Sequence, residues 1–149
     1  MLMRFASIGS GSRGNGTLVQ AGNTLLMVDC GFALKETEQR LLRLGIEPGQ
    51  LRAVLVTHEH GDHCNGVRVL ANRYGLPVYM TAGTARARQL LDVEKVVTID
   101  SHNAFTIEDI DIQPVAVPHD AAEPVQYVFN WEGRRLGVLT DIGAITPFV

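Results

Sequence analysis

Residues 57–63 read Thr57-His58-Glu59-His60-Gly61-Asp62-His63 and directly follow the apolar run Ala53-Val54-Leu55-Val56. Three of the chain's five histidines and one aspartate therefore crowd into one short stretch at the end of a strand-like segment. A solvated polar loop rarely concentrates imidazole and carboxylate in this way. The two group types together suit zinc or a similar first-row cation. The reading adopted is a metal centre at the end of a buried strand.

His58 and His60, at i and i+2, point the same way if the loop is locally extended. Asp62 and His63 follow where the next helix starts. One ion cannot comfortably take all four groups at this spacing, so two adjacent sites are expected. Further ligands must come from elsewhere. His119 follows the strand-like Val115-Ala116-Val117-Pro118, and Asp141 follows Leu136-Gly137-Val138-Leu139-Thr140. Ligands at the carboxyl ends of several strands can converge on one rim of a sheet, as in open α/β sheets.

Working outward, strands are expected at 3–8, near 17–21 and near 24–29, with a glycine-rich loop over 9–16. Gly22-Asn23 makes a tight turn between the second and third strands. Leu34, Leu41 and Leu42 suggest a helix over 34–44 ended by Gly45. Strand 53–57 comes next. Val67, Leu70, Ala71 and Tyr74 fall at i, i+3, i+4 and i+7, the spacing of an amphipathic helix closed by Gly75 and Pro77. Strand 77–81, a short helix near 84–91 and strand 95–99 complete this half. The rest reads as β: 104–108, 110–117 with Pro114 implying an edge or bulge, and 125–131 with Val125, Tyr127, Phe129 and Trp131 alternating. Glu132-Gly133 then turns the chain into 134–140. Helices inserted among many strands indicate an α/β (α+β) chain, with sheet packed on sheet and helices outside.

With 149 residues the chain is long enough for one domain with a real core, and 46% hydrophobic residues make it globular. One domain over 1–149 is expected. A net charge of −3 argues against a strongly basic nucleic-acid binder, though not against a local basic patch. No apolar stretch approaches the ~20 residues of a membrane span, and no signal peptide is evident, so the expected location is the cytoplasm. Cys30 and Cys64 are read as free thiols.

His58-x-His60-x-Asp62-His63 resembles the signature of the metallo-β-lactamase fold superfamily, with His119 matching its third motif and Asp141 its bridging aspartate. Asp29, in Val28-Asp29-Cys30-Gly31, matches the early strand-end aspartate that supports the site. More narrowly, Ser7-Ile8-Gly9-Ser10-Gly11-Ser12-Arg13-Gly14-Asn15, Val28-Asp29-Cys30-Gly31-Phe32 and Val117-Pro118-His119-Asp120-Ala121 are similar to the YycJ (WalJ) branch. The resemblance covers essentially the whole chain and implies an αββα sandwich. It also implies that His58, His60 and His119 hold one ion and that Asp62 and His63 hold a second, with Asp141 bridging. Asp62 and Asp141 are then the catalytic carboxylates. Two Zn2+ ions are expected, with Mn2+ or Fe2+ as alternatives. A bridging hydroxide would attack phosphorus, giving 5′-to-3′ DNA exonuclease activity with nucleic acid as substrate. Thr57 and Asp120 are expected to fix histidine tautomers. Members of this fold carry about another half-domain with a final histidine ligand, and no histidine follows His119 here. This implies that only the N-terminal part is present, and that an uncovered apolar face would promote homo-oligomers or poor solubility.

Three other functions fit the same motifs: hydrolysis of a thioester or lactam, an iron-dependent persulfide dioxygenase chemistry, and a non-catalytic truncated metal-binding domain. Gly9-x-Gly11-x-x-Gly14 imitates a dinucleotide fingerprint, but Thr17-Leu18-Val19-Gln20 continues as strand where that fingerprint needs a helix. The loop is instead expected to line the metal cleft or to serve as a rigid turn. His102, Arg86, Arg88, Arg134 and Arg135 read as solvated, Cys64 as a small buried residue, and Trp131 as core or sheet surface.

Overall fold

The computed structural model describes residues 3–118, 120–139 and 144–148. The first sheet has six strands in the order β1 (Met3–Gly9), β2 (Gly16–Ala21), β3 (Thr24–Val28), β4 (Ala53–Leu55), β5 (Val78–Thr81) and β6 (Val96–Ile99). The β1–β2 and β2–β3 pairs are antiparallel, whereas β3–β4, β4–β5 and β5–β6 are parallel. Parallel neighbours need crossovers. These are supplied by α1 (Leu34–Arg43), by α2 (Gly61–Cys64) with α3 (Val67–Tyr74), and by α4 (Ala82–Ala85) with a 3-10 turn at Arg88–Leu90.

The second sheet is antiparallel, built from β7 (Phe105–Ile107), β8 (Ile110–Ala116), β9 (Val125–Trp131), β10 (Arg134–Leu139) and β11 (Ala144–Phe148), in the order β11-β10-β9-β8-β7.

Central strands of the first sheet are buried on both faces. Their side chains alternate between two cores, because successive residues of a strand point opposite ways. Met27, Val54 and Val56 face the helices, packing with Leu41 of α1 and Val67 and Leu70 of α3. Leu26, Val28, Ala53 and Leu55 face the second sheet, packing with Ile110, Ile112, Tyr127 and Phe129. The described residues thus form helix, sheet and sheet layers of the anticipated sandwich. The buried Tyr127 hydroxyl donates to the Val56 carbonyl at 2.7 Å. Burial pushes its pKa well up, so it stays a donor. The Val125 N–H donates to the Thr57 carbonyl at 2.9 Å. These two bonds tie the second sheet to the end of β4, where the histidine motif begins.

Most sequence expectations match this architecture, and the differences have local causes. The helix expected near 84–91 starts earlier and breaks. The Thr81 hydroxyl caps α4 by accepting the Thr84 N–H at 3.3 Å, and Leu90 then closes a separate tight turn. Pro114 sits on β8, an interior strand, yet β7 reaches only as far as the partner of Ile112. On that side Pro114 therefore meets no described strand, and the missing N–H costs no ladder bond. Strand β11 was not anticipated. It contains Pro147 and lies at the outer edge of its sheet, beside β10.

Candidate metal centre

Asp29 follows β3 in the left-handed conformation, φ 62°, and is completely buried. A non-glycine residue there is strained, and Asp or Asn tolerates it best. What holds it is a dense set of donors. Its Oδ1 accepts the Thr57 N–H at 2.8 Å. Its Oδ2 accepts the Thr57 hydroxyl at 2.6 Å and lies 2.8 Å from His63 Nδ1. The strands β3 and β4 are parallel neighbours, so both motifs emerge from the same rim.

These bonds bear on which nitrogen of each ring carries the proton. A carboxylate only accepts, so at 2.8 Å from Asp29 the Nδ1 of His63 is the protonated nitrogen and the ring's lone pair lies on Nε2. The Thr57 hydroxyl has one proton, given to Asp29, so its oxygen accepts from His58 Nδ1 at 2.8 Å. His58 likewise carries its lone pair on Nε2. His60 Nε2 meets the backbone carbonyl of Asp120, which only accepts, so the lone pair of His60 lies on Nδ1. The His58 ring centroid is 4.2 Å from that of His63 and 4.8 Å from that of His60. Three clustered imidazoles, each held by a partner at one ring nitrogen, form a donor set suited to a divalent transition metal.

Single donor atoms of Asp29, His58 and His63 lie within 4.8 Å of one another, so Asp29 could itself be taken for a ligand. Its oxygens already receive three donors, however, and a carboxylate so engaged orients ligands better than it binds an ion. Asp62 Oδ2 lies 3.6 Å from His63 Nε2, which places its carboxylate on the metal-facing side of that ring. His119 and Asp141, expected as ligands, lie outside the described residues.

The HxHxDH segment is seated by backbone contacts that only glycine permits. The Cys30 N–H donates to the His63 carbonyl and the Gly66 N–H to the Cys30 carbonyl, both at 2.8 Å. A Cβ on Gly31 would fall 1.9 Å from the Asp62 carbonyl oxygen, and one on Gly66 would fall 1.8 Å from that of Phe32. Gly66 has φ −97°, an ordinary value, so only this contact forbids a side chain. Gly66→Ala should therefore force the backbone apart and cost about 1–3 kcal/mol. A urea midpoint indistinguishable from that of the wild type would contradict the close packing described here.

The stretch from Asp120 to Glu123 is clamped from several sides. The Glu59 carboxylate accepts the Ala122 N–H at 2.9 Å, and the Glu123 carboxylate accepts the Gly83 N–H at 2.9 Å. Asp120, expected to act on a histidine, does so through its main-chain carbonyl rather than its carboxylate. Thr57 acts as expected. Cys64 is buried and donates to the Glu59 carbonyl at 2.9 Å. Burial, reinforced by Asp29, Glu59 and Asp62, pushes its thiol up to about 12, in keeping with a packed, protonated side chain. Trp131 is core, with Nε1 donating to Asp109 at 2.9 Å, and His102 occupies an exposed turn.

Sequence reasoning passed over Asn15 as a site residue. It is buried, and its side chain reaches both the carbonyl and the carboxylate of Asp62 at 3.1 Å. The signal available was its place at the end of a glycine-rich loop that continues into a strand rather than a helix.

Comparison with known proteins agrees with this geometry. The chain is 35% identical over 150 residues to the exodeoxyribonuclease YycJ of Bacillus anthracis, matching 98% of this chain and 57% of that protein. It is 32% identical over 149 residues to the exodeoxyribonuclease WalJ of Streptococcus pneumoniae, matching 96% of this chain and 55% of that protein. It thus spans little more than half the length of these relatives. The solved structure of the metallo-β-lactamase fold protein YhfI from Bacillus subtilis superposes with a TM-score of 0.75 at 20% identity, covering 92% of this chain and 62% of that one. Residues 9–144 match the metallo-β-lactamase superfamily over the span that carries Asp29 and the HxHxDH segment, and the chain belongs to that superfamily.

Proposed function

We propose that this chain carries the metal-binding part of a phosphodiesterase that degrades DNA from an end, in the 5′-to-3′ direction. One observation carries the reading: three imidazoles, each held through one ring nitrogen, gather beside Asp62 on the rim where β3 and β4 end. The names of the YycJ and WalJ relatives support the substrate class. His58, His60 and His119 would hold one ion, Asp62 and His63 a second, and Asp141 would bridge. Two Zn2+ ions are the proposed cofactor. When bound, such ions supply Lewis acidity and make hydroxide available near neutral pH.

The chain's own residues do the rest. Asp29 keeps the proton on His63 Nδ1, and Thr57 relays the same constraint to His58. Asp62 and Asp141 are the proposed catalytic carboxylates. The exposed tip Ser10-Gly11-Ser12-Arg13 is tied to Asp62 through Asn15 and is the proposed contact for a nucleic-acid strand. No helix among the described residues is long and apolar enough to cross a membrane. We place the protein in the cytoplasm with its substrate.

Hydrolysis by the full-length protein should be measured on bis(p-nitrophenyl) phosphate, on end-labelled DNA and on a thioester panel, with metal content determined in parallel. Phosphodiester cleavage with two zinc ions per chain is the expected result. Thioester cleavage alone, a single iron, or full metal loading without hydrolysis would each overturn it.

A further inference from the structure

The glycine-rich loop preceding β2 is absorbed neither by the dinucleotide fingerprint it imitates nor by the histidine motif. It ends at Asn15, whose backbone and side chain both engage Asp62. The Asn15 N–H donates to the Asp62 carbonyl at 2.7 Å. Its Nδ2 donates to the same carbonyl at 3.1 Å and to Asp62 Oδ2 at 3.1 Å, and also reaches the Gly11 carbonyl at 2.9 Å. The amide orientation follows from chemistry. The Gly11 N–H lies 3.1 Å from Oδ1 and can only donate, so Oδ1 must be the oxygen and Nδ2 the donor facing Asp62.

The loop itself is braced from behind. Gly9 and Gly14 sit against the Phe32 ring so closely that a Cβ on either would fall 2.4 or 2.6 Å from a ring carbon. The Arg40 guanidinium lies 4.1 Å above that ring and also bonds the Ile8 carbonyl. Asn15 is therefore a buried amide on a rigid support, aimed at a carboxylate that is itself half-exposed. Thr57 and Asp29 hold His58 and His63, and Asn15 holds Asp62.

We infer that Asn15 is the positioning residue for Asp62, fixing the carboxylate for the cation that Asp62 and His63 bind. This rests on the reading of Asp62 as a metal ligand. A donor that orients a ligating carboxylate contributes about 10–100-fold in metal affinity.

The test titrates Co2+ into the metal-free full-length protein and into its Asn15→Ala and Asp62→Ala variants, following stoichiometry and the visible d–d spectrum. Asp62→Ala identifies the ion that depends on Asp62. Asn15→Ala should weaken that same ion by about 10–100-fold and shift its spectrum while leaving the other ion unchanged. A merely structural role would weaken both ions alike, and that result, or wild-type affinity for both, overturns the inference. If Asp62→Ala leaves metal binding unaltered, the ligand reading of Asp62 fails and this inference fails with it. Should Asn15→Ala not fold, Asn15→Gln, which keeps the amide one methylene further out, is held to the same outcomes with a smaller shift.

Discussion

His60→Ala is expected to abolish the proposed metal-dependent hydrolysis and to remove the ion assigned to His58 and His60 in that proposal. Two losses combine in this one substitution. The ring supplies a candidate donor nitrogen 4.8 Å, centroid to centroid, from His58. The same ring also donates to the Asp120 carbonyl, in the residue that follows His119. Removing it therefore deletes one candidate ligand and one of the bonds that hold Asp120. The effect on affinity should exceed the ~10–100-fold typical of a group that merely orients a ligand, and hydrolysis should fall to background. His60 is only partly buried, so the metal-free fold should change in stability by no more than about 0.5–1 kcal/mol. Metal analysis of the purified variant decides the matter: wild-type stoichiometry would refute the assignment of His60 as a ligand.

What the sequence made legible were features governed by local rules. Val67, Leu70, Ala71 and Tyr74 lie on a helix that ends at Gly75 with φ 66°, as their spacing and the glycine dictated. Glu132 and Gly133 both take positive φ, 48° and 76°, in the two-residue turn between β9 and β10. Val125, Tyr127, Phe129 and Trp131 all face the inter-sheet core. The histidine cluster was equally plain, because ligand density is written in adjacent positions.

What stayed hidden depends on residues far apart in sequence. Nothing near Gly31 shows that it must let the Asp62 carbonyl pass, nor does the surrounding sequence pair Gly66 with Phe32. Asn15 and Asp62 are separated by 47 positions, and they meet through the glycine loop packed on Phe32 and through Gly31, whose N–H donates to the Asn15 carbonyl at 2.9 Å. The early start of α4 is a similar case, since its N-cap Thr81 also bonds the Glu123 carbonyl, 42 positions on, at 2.9 Å. Periodicity announces elements and clustered ligands announce a site, whereas the contacts that orient those ligands arise only when strand ends meet.

Asp29→Asn tests that orienting layer at its centre. Asparagine has nearly the same shape and tolerates the left-handed backbone at φ 62°, so the substitution isolates hydrogen bonding from strain. In the native protein all three partners of the carboxylate are donors. An amide offers one oxygen and one NH2. If the oxygen stays toward the Thr57 hydroxyl and His63, the NH2 confronts the Thr57 N–H. If the amide turns over, the NH2 confronts the other two. Either way a buried donor loses its acceptor, which costs about 1–3 kcal/mol. His63 Nδ1 also exchanges an ionised partner for a neutral one, so Nε2 becomes a poorer donor to a cation. Metal affinity should fall about 10–100-fold, whereas removal of a direct ligand would cost an ion outright. Denaturant titration of the metal-free variant and metal competition on the loaded one separate the two effects. Wild-type affinity in a destabilised variant would show that Asp29 holds the fold but not the tautomers, and complete loss of one ion would make it a ligand instead.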